Sequence, residues 1–464
     1  MWMIMSKNGD IMSSKSVPVD FRGATVSALE NLTLRGAMKT ATDMFAVKRA
    51  QGVSSIPLEE WRQQASETRC QVLDNLEAMV DEFSANATKA GAVIHRAKDA
   101  ETARRIILDI LKNNRVHKLV KAKSMVSEEI HLNRFLEQHD IKVVETDLGE
   151  YIVQIADETP SHILAPAIHK NRRQVGLLFS EKLGVDYSED PEVLTKIARR
   201  QLRNEFLTAD AGFSGANFAV SSTGSLAIFT NEGNGRMCTT VPPLHIALIT
   251  IEKMLPTLAD LALFAKLLPR SATGQFLSSY MTLITGTKKT WEFTGAGHLH
   301  IVLLDNGRTD ILRGPFRDIL KCIRCSACMN VCPVYRTVGG HAYDSTYSGP
   351  MGIILTNLLE GMERAHTLLD ASTLCGACED ACPVKLPLVS LISALREKRV
   401  EMNMGPVIEH FLMKSFGLAA QKTGLYAFAQ KMFKKTRPLV NRVGDGLRLD
   451  RLPEISEKPM RDRF

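Results

Sequence analysis

Cys322-Ile-Arg-Cys325-Ser-Ala-Cys328-Met-Asn-Val-Cys332-Pro333 opens a stretch that closes on Cys375-Gly-Ala-Cys378-Glu-Asp-Ala-Cys382-Pro383. Seven of the nine cysteines lie in these two runs. The first has the spacing C-x₂-C-x₂-C-x₃-C-P, in which three thiolates hold one iron–sulfur cluster and the fourth reaches over to another. The second repeats it with Ser372 where the first cysteine belongs. With that crossing, Cys322, Cys325, Cys328 and Cys382 serve a first cluster and Cys332, Cys375 and Cys378 a second. Both are expected to be [4Fe-4S]. The second is one thiolate short, so Ser372 is a candidate weak fourth ligand, and a labile or three-iron second cluster is expected.

The short gaps let the backbone curl around a cubane with its amides aimed at the sulfides. Disulfides do not suit so many close cysteines in a chain with no secretion signal. Zinc bound by four cysteines is usually held by two separated C-x₂-C pairs, not by a doubled run ending twice in Cys-Pro.

A chain of 464 residues has room for two or three domains. Its 45% hydrophobic and 23% charged content is ordinary for a globular protein. The net charge of +7 is too modest to suggest a nucleic-acid binder, and most of it sits in the tail, with 12 Lys/Arg against 7 Asp/Glu from Glu401 onward. No stretch has the length and apolarity of a membrane span, and the apolar portion of Met1-Trp-Met-Ile-Met is too short for a signal peptide. The expected location is the cytoplasm, with the inner membrane surface as a second place.

Residues 1–85 read as a helical arm, loose to about residue 20, then helical over Ala24–Val53 and from Pro57 to about Ala85. It suits packing on the main domain or on a partner. Residues 86–306 alternate apolar strands with helical stretches, which argues for an α/β layer with a largely parallel sheet. Strands are predicted at 92–95, 118–123, 142–145, 150–154, 216–221, 224–230 and 298–304. Gly307 to Arg317 looks like a boundary, and residues 307–400 form the cluster module, whose long spacer suggests capping helices. The tail, 401–464, carries a basic amphipathic helix over Pro406–Lys435. That helix suits docking on protein, or peripheral contact with an anionic membrane.

A pair of segments stands out within the α/β region, Glu145-Thr-Asp-Leu-Gly-Glu150 and Thr223-Gly-Ser…Asn-Glu232-Gly-Asn-Gly235-Arg236. The carboxylates of the first suit acid–base work, and the glycines of the second a close backbone approach to a ligand. A hairpin turn and a solvated strand end explain them equally well. His162 and His169 are candidate ligands or acid–base groups, although a lone histidine is more often structural. Cys70 and Cys238 read as ordinary partly buried thiols. No G-x-G-x-x-G or P-loop occurs.

These segments, with Pro160-Ser-His-Ile-Leu-Ala-Pro-Ala-Ile-His-Lys and the two cysteine runs, resemble the lactate utilisation protein B family over nearly the whole chain. The resemblance implies an α/β lactate-utilisation domain with an isomerase/CoA-transferase-like fold, followed by an α-helical two-cluster ferredoxin domain. It further implies the iron–sulfur electron-transfer subunit of a complex oxidising L-lactate to pyruvate, not an enzyme by itself. The implied partners are a cysteine-rich-domain subunit and a second lactate-utilisation-domain subunit. In this family too a residue other than cysteine stands where Ser372 does. The alternatives are a small-molecule-binding or transferase-like module with structural or sensory clusters, and the subunit of a glycolate- or heterodisulfide-type oxidoreductase. The catalytic residues are not identified by the resemblance.

Overall fold

The computed structural model describes residues 17–404 and scattered residues between 414 and 432. The chain divides into one unit over Met1–Arg396 and another over Glu397–Phe464. Among the described residues all the strands belong to the first unit. Most of the predicted tail helix lies outside the described residues.

The described residues hold ten strands in chain order: β1 (Val93–Ala97), β2 (Lys118–Lys121), β3 (Lys142–Glu145), β4 (Ala211–Ser214), β5 (Phe218–Val220), β6 (Ser225–Thr230), β7 (Leu244–Thr250), β8 (Met254–Leu255), β9 (Tyr280–Ile284) and β10 (His298–Leu304). Six form a sheet in the order β1-β10-β7-β4-β2-β3, parallel throughout. The other four form a smaller sheet in the order β8-β5-β6-β9.

The large sheet is covered on both faces, as a parallel sheet must be, and the strand period of two sorts its side chains. Leu244, Ile246 and Leu248 of β7 enter one core with Val302 and Leu304. Their alternates Ala247 and Ile249 enter the opposite core with Leu299, Ile301 and Leu303. A strand buried on both faces carries no polar alternation, which is why Leu244–Thr250 gives no strand signal; all seven of its residues are buried.

Residues 150–154, expected as a strand, belong to the helix Leu148–Ile155. The Asp147 carboxylate caps it by accepting from the Gly149 and Glu150 amides, at 3.0 and 3.3 Å. That cap turns an apolar run, short enough for either state, into helix. The long helix expected over Ala24–Val53 is two, Phe21–Glu30 and Leu32–Val53. Asn31 divides them, its side chain accepting from the Leu34 amide at 3.0 Å. The second expected helix likewise breaks at Asn75 into Leu58–Asp74 and Leu76–Lys89. Gly224, offered as a place for ligand approach, serves packing instead. It has φ +66, and a Cβ there would stand 2.2 Å from the Ala87 nitrogen.

The N-terminal helices pack on their own chain. Val72, Val80 and Phe83 join the core under the sheet. Arg49 donates to the Ala381 carbonyl at 3.0 Å, and Arg62 to those of Cys382 and Glu379 at 2.9 and 3.1 Å. Arg69, 1% exposed, donates to Met254, Leu320 and Lys321 at 2.8, 2.9 and 3.2 Å, and also to the Glu252 carbonyl. One guanidinium therefore ties a helix, the region after β7 and the approach to Cys322 together. Among the described residues beyond β10 every regular element is helical, beginning with Arg308–Arg313. The stretch from Gly307 to Arg317 holds the helix Arg308–Arg313, with Arg308 fully buried.

Replacing Arg69 by Met keeps much of the volume but leaves buried carbonyls without donors. We expect a loss of about 3–5 kcal/mol of stability, read from urea unfolding of the purified protein. A change within about 0.5 kcal/mol would show that the four bonds contribute nothing net.

Candidate metal centres

The two cysteine runs adopt the same backbone. In the first, Arg324 and Ser326 have φ +58 and +63; in the second, the equivalent Leu374 and Gly376 have +56 and +83. Each then enters a five-residue helix, Ala327–Val331 or Ala377–Ala381. Each helix ends on a cysteine with nearly the same torsions, φ −73 and ψ 119 at Cys332, φ −71 and ψ 120 at Cys382. The likeness extends to the substituted position. The Arg324 amide donates to the Cys322 sulfur at 3.4 Å, and the Leu374 amide to the Ser372 hydroxyl oxygen at 3.2 Å. Ser372 therefore holds, within its run, the place that Cys322 holds in the other.

The thiols fall into two groups. Cys322, Cys325, Cys328 and Cys382 line one cavity, closed by Met351, Leu386 and Leu388 among others. Burial pushes the Cys325 thiol well above its ordinary range, and the charges of Cys382 and Cys322 push it further. Cys328 is raised by burial and by Cys322, Cys325 and Cys382; Cys382 is raised to about 11 by burial, with Cys322 contributing. In the second group burial raises Cys332, and Cys375 adds to it. Burial and Cys332 lift Cys378 to about 12. Cys375 is exposed, and the Ala377 amide and the Thr373 hydroxyl lower its pKa.

Buried thiols that oppose one another's ionisation need cationic compensation to become thiolates, and iron supplies it. The first four surround a space and do not converge on a point: among the described residues, no three His, Cys, Asp or Glu side chains are placed to hold a single ion. Cys238 stands apart, buried beside the Thr146 hydroxyl at 3.3 Å, its thiol raised to about 12 by burial.

The α/β region grips the first run through buried charge. Arg324, between Cys322 and Cys325, reaches Glu252 at 3.3 Å; Arg308 reaches the same carboxylate at 3.0 Å. Arg308 also pairs with Glu129 through both terminal nitrogens, at 2.9 and 2.7 Å, and the Tyr347 hydroxyl donates to Glu129 at 2.6 Å. Burial alone would raise the Glu252 carboxyl, but Arg308 and Arg324 outweigh it and hold it at about 2. None of Arg324, Glu252 or Glu129 is visible as a site residue in the sequence, because their partners are far apart along the chain.

His162 is a structural contact. Its Nδ1 accepts from the Leu164 and Ala165 amides at 2.9 and 3.1 Å, so Nε2 carries the proton and donates to the Asn330 side-chain oxygen at 3.0 Å. Burial lowers its pKa to about 4, which keeps the ring neutral. Asn330 lies between Cys328 and Cys332, so the 160–166 loop is fastened to the cysteine run. Tyr335 adds a 2.6 Å bond to the Ser161 carbonyl. His169 sits between the Ser161 hydroxyl at 2.6 Å and Glu158 at 2.7 Å.

The pair of segments singled out in the α/β region does meet. The Leu148 amide donates to Glu232 at 3.3 Å, and the Asn234 side chain to Thr146 at 3.4 Å. They flank the carboxyl ends of β2 and β3, where Lys121, fully buried, bonds Glu145 and lies 2.9 Å from Glu128.

Residues 80–304 match the LUD domain and residues 318–386 the 4Fe-4S dicluster domain. The lactate utilization protein B of Lysinibacillus sphaericus (strain C3-41) is 47% identical over 91% of this chain and 89% of its own length. The chain belongs to the lactate utilization protein B family. The family protein of Bacillus subtilis (strain 168) is 44% identical over 89% of this chain and 86% of its own length. A crystal structure of a DUF162 family protein from Deinococcus radiodurans matches 51% of this chain and 98% of its own, with 14% identity and a TM-score of 0.27. The dicluster match means two [4Fe-4S] clusters. An α/β LUD domain followed by a helical dicluster domain is the fold expected from sequence. Among the described residues no helix is long and apolar enough to cross a membrane.

Glu252 sets a pH dependence. Its carboxyl titrates at about 2 in the folded protein against an ordinary 4.5. Between those values the unfolded chain binds the extra proton, so this stabilisation is complete above pH 4.5 and is lost as pH falls toward 2. Urea midpoints measured across that window should fall in the wild type and fall less steeply in Glu252→Gln. Parallel curves would remove Glu252 from the acid response.

Proposed function

We propose that this protein is the iron–sulfur electron-transfer subunit of a complex that oxidises L-lactate to pyruvate and so allows growth on lactate. The observation that supports this best is the grouping of seven thiols into four and three, in a chain 47% identical to a lactate utilization protein B. Oxidation of a 2-hydroxy acid to a 2-oxo acid releases two electrons and two protons, and two clusters that each carry one electron suit the passage of such a pair. The protein's own contribution is to fix the thiols, shield most of them and set the local charge, with Arg324 beside Cys322.

On this reading the chain has four segments: a helical arm over 1–85, the α/β domain over 86–306, the cluster domain over 307–400 and a basic tail over 401–464. Cys322, Cys325, Cys328 and Cys382 hold one cluster, and Cys332, Cys375 and Cys378 the other. Its partners are a cysteine-rich-domain subunit and a second LUD subunit, met in the cytoplasm or at the inner face of the membrane. Reconstitution is the test. The three proteins, anaerobic and cluster-loaded, should show cluster reduction on addition of L-lactate and none with any subunit left out. Reduction by glycolate but not by lactate would move the assignment to another oxidoreductase.

The ligand crossing predicts that Cys382→Ser damages the cluster of the first run. If resonance spectra show that Cys382→Ser removes only the second cluster's signal, the crossing is wrong.

Ser372 is the fourth ligand position of the second cluster. A serine oxygen is harder and more basic than a thiolate and binds such iron less well. One iron there is therefore held weakly, and a three-iron form accumulates under oxidation. Ser372→Cys, which restores the equivalent of Cys322, should raise iron retention in air. Equal iron content and an unchanged resonance spectrum would place Ser372 away from the cluster.

A further inference from the structure

The order of the large sheet reverses between β2 and β4. From β2 the chain steps outward to β3; after β4 it steps the other way, through β7 and β10 toward β1. In open α/β sheets the crevice beyond the carboxyl ends of the strands at such a reversal is where ligands bind. Lys121 ends β2 and Ser214 ends β4. Across the reversal the chains are close, since a Cβ on Gly215 would stand 2.8 Å from the Ser124 hydroxyl.

Lys123, two residues past β2, has a buried Nζ with no hydrogen-bond partner. Four carboxylates from three elements act on it: Glu145 at the end of β3, Asp147 and Glu150 of the next helix, and Glu232 of the turn after β6. Among the described residues none of these forms an ion pair with it, whereas neighbouring Lys121 pairs with both Glu128 and Glu145. Glu150, 4% exposed, keeps Oε1 without a partner, as does Asn234, 8% exposed, at Oδ1. A buried ammonium, a carboxyl oxygen and an amide oxygen thus remain unsatisfied about the carboxyl ends of β2 and β3, where Asn234 bonds Thr146, against the strong tendency of buried polar groups to pair. Asp147 is half-buried and Glu232 exposed, so the crevice opens to solvent on their side.

We propose that this crevice binds a small monocarboxylate of the 2-hydroxy or 2-oxo acid class, with Lys123 Nζ pairing the carboxylate and Glu150 and Asn234 facing the C2 oxygen. This rests on the function proposed above and supplies its substrate site within this chain. An ammonium held among carboxylates opposes a second cation, so a metal is the poorer occupant. The acids do not repel an anion as their number suggests. Burial and Glu145 lift Glu150 to about 8, so near neutral pH its carboxyl is largely protonated and can donate, while Glu145 is paired with Lys121. Lys123 is near enough to oppose protonation of His162, whose Nε2 bonds to Asn330 between Cys328 and Cys332.

The test is calorimetric titration of the cluster-loaded protein with L-lactate, pyruvate and acetate. Lactate and pyruvate should bind, acetate more weakly for want of a C2 oxygen. Lys123→Met should weaken lactate about 10- to 100-fold, the usual range for one charge-assisted bond. Lys196→Met, at an exposed lysine of the helix Pro191–Leu207, should change nothing. Glu150→Gln, with iron content and near-ultraviolet dichroism as checks on folding, should narrow the preference for lactate over acetate. No binding by the wild type, or equal binding by wild type and folded Lys123→Met, overturns the proposal. The two readings separate. If carboxylates bind through Lys123 but the complex does not oxidise lactate, the site stands and the function fails. If the complex oxidises lactate equally well with Lys123→Met, the function stands and this site falls.

Discussion

Glu252 is 1% exposed and meets Arg308 and Arg324 at once, while Arg69 donates to its backbone carbonyl. A carboxylate in such a place is costly unless every charge around it is matched. Here the matching extends outward: Arg308 to Glu129, Glu129 to Tyr347 and Asn306, Arg324 to the Cys322 backbone. The LUD domain contributes Glu129 and Glu252, the dicluster domain Arg324 and Tyr347, and the helix Leu58–Asp74 Arg69. None of the three can leave without stranding a buried charge. The run holding Cys322 is thereby fixed to the sheet.

This arrangement explains why the N-terminal helices belong to the same compact unit. Arg49 and Arg62 reach the carbonyls of Ala381, Glu379 and Cys382. Those carbonyls lie at the end of a five-residue helix too short to satisfy its own last acceptors. Arginine suits the task because its planar fork spans two acceptors at once. The arm thus holds the second run, as the Glu252 network holds the first.

The cysteine runs could be read from the sequence because their chemistry is local: the spacing within each run is itself the motif, and the region matches the 4Fe-4S dicluster domain. Strands with clear flanks could be read too, and Lys142–Glu145 and His298–Leu304 stand as expected. Leu244–Thr250 could not, since a strand buried on both faces has the pattern of any apolar run. Glu150 went to helix through one cap at Asp147, a choice of a single side chain. Lys123 was not singled out at all. Its significance comes from Glu145, Glu150 and Glu232 gathered by the fold, and from the absence of a bond that its neighbour Lys121 has.

The two lysines show how position along one strand end divides structure from chemistry. Lys121 lies in register with Glu145 across β2 and β3, inside the sheet, and its partners Glu145 and Glu128 raise its pKa beyond the ordinary lysine range even against burial. Such an ammonium is committed to the fold. Lys123 lies past the last ladder pair, where the chain leaves the sheet, and burial lowers its pKa while the carboxylates oppose that shift. Its charge is only partly compensated, so an incoming anion adds what the fold withholds. Committed pairs stabilise a site without acting in it; an incompletely matched charge beside them is what a ligand can complete.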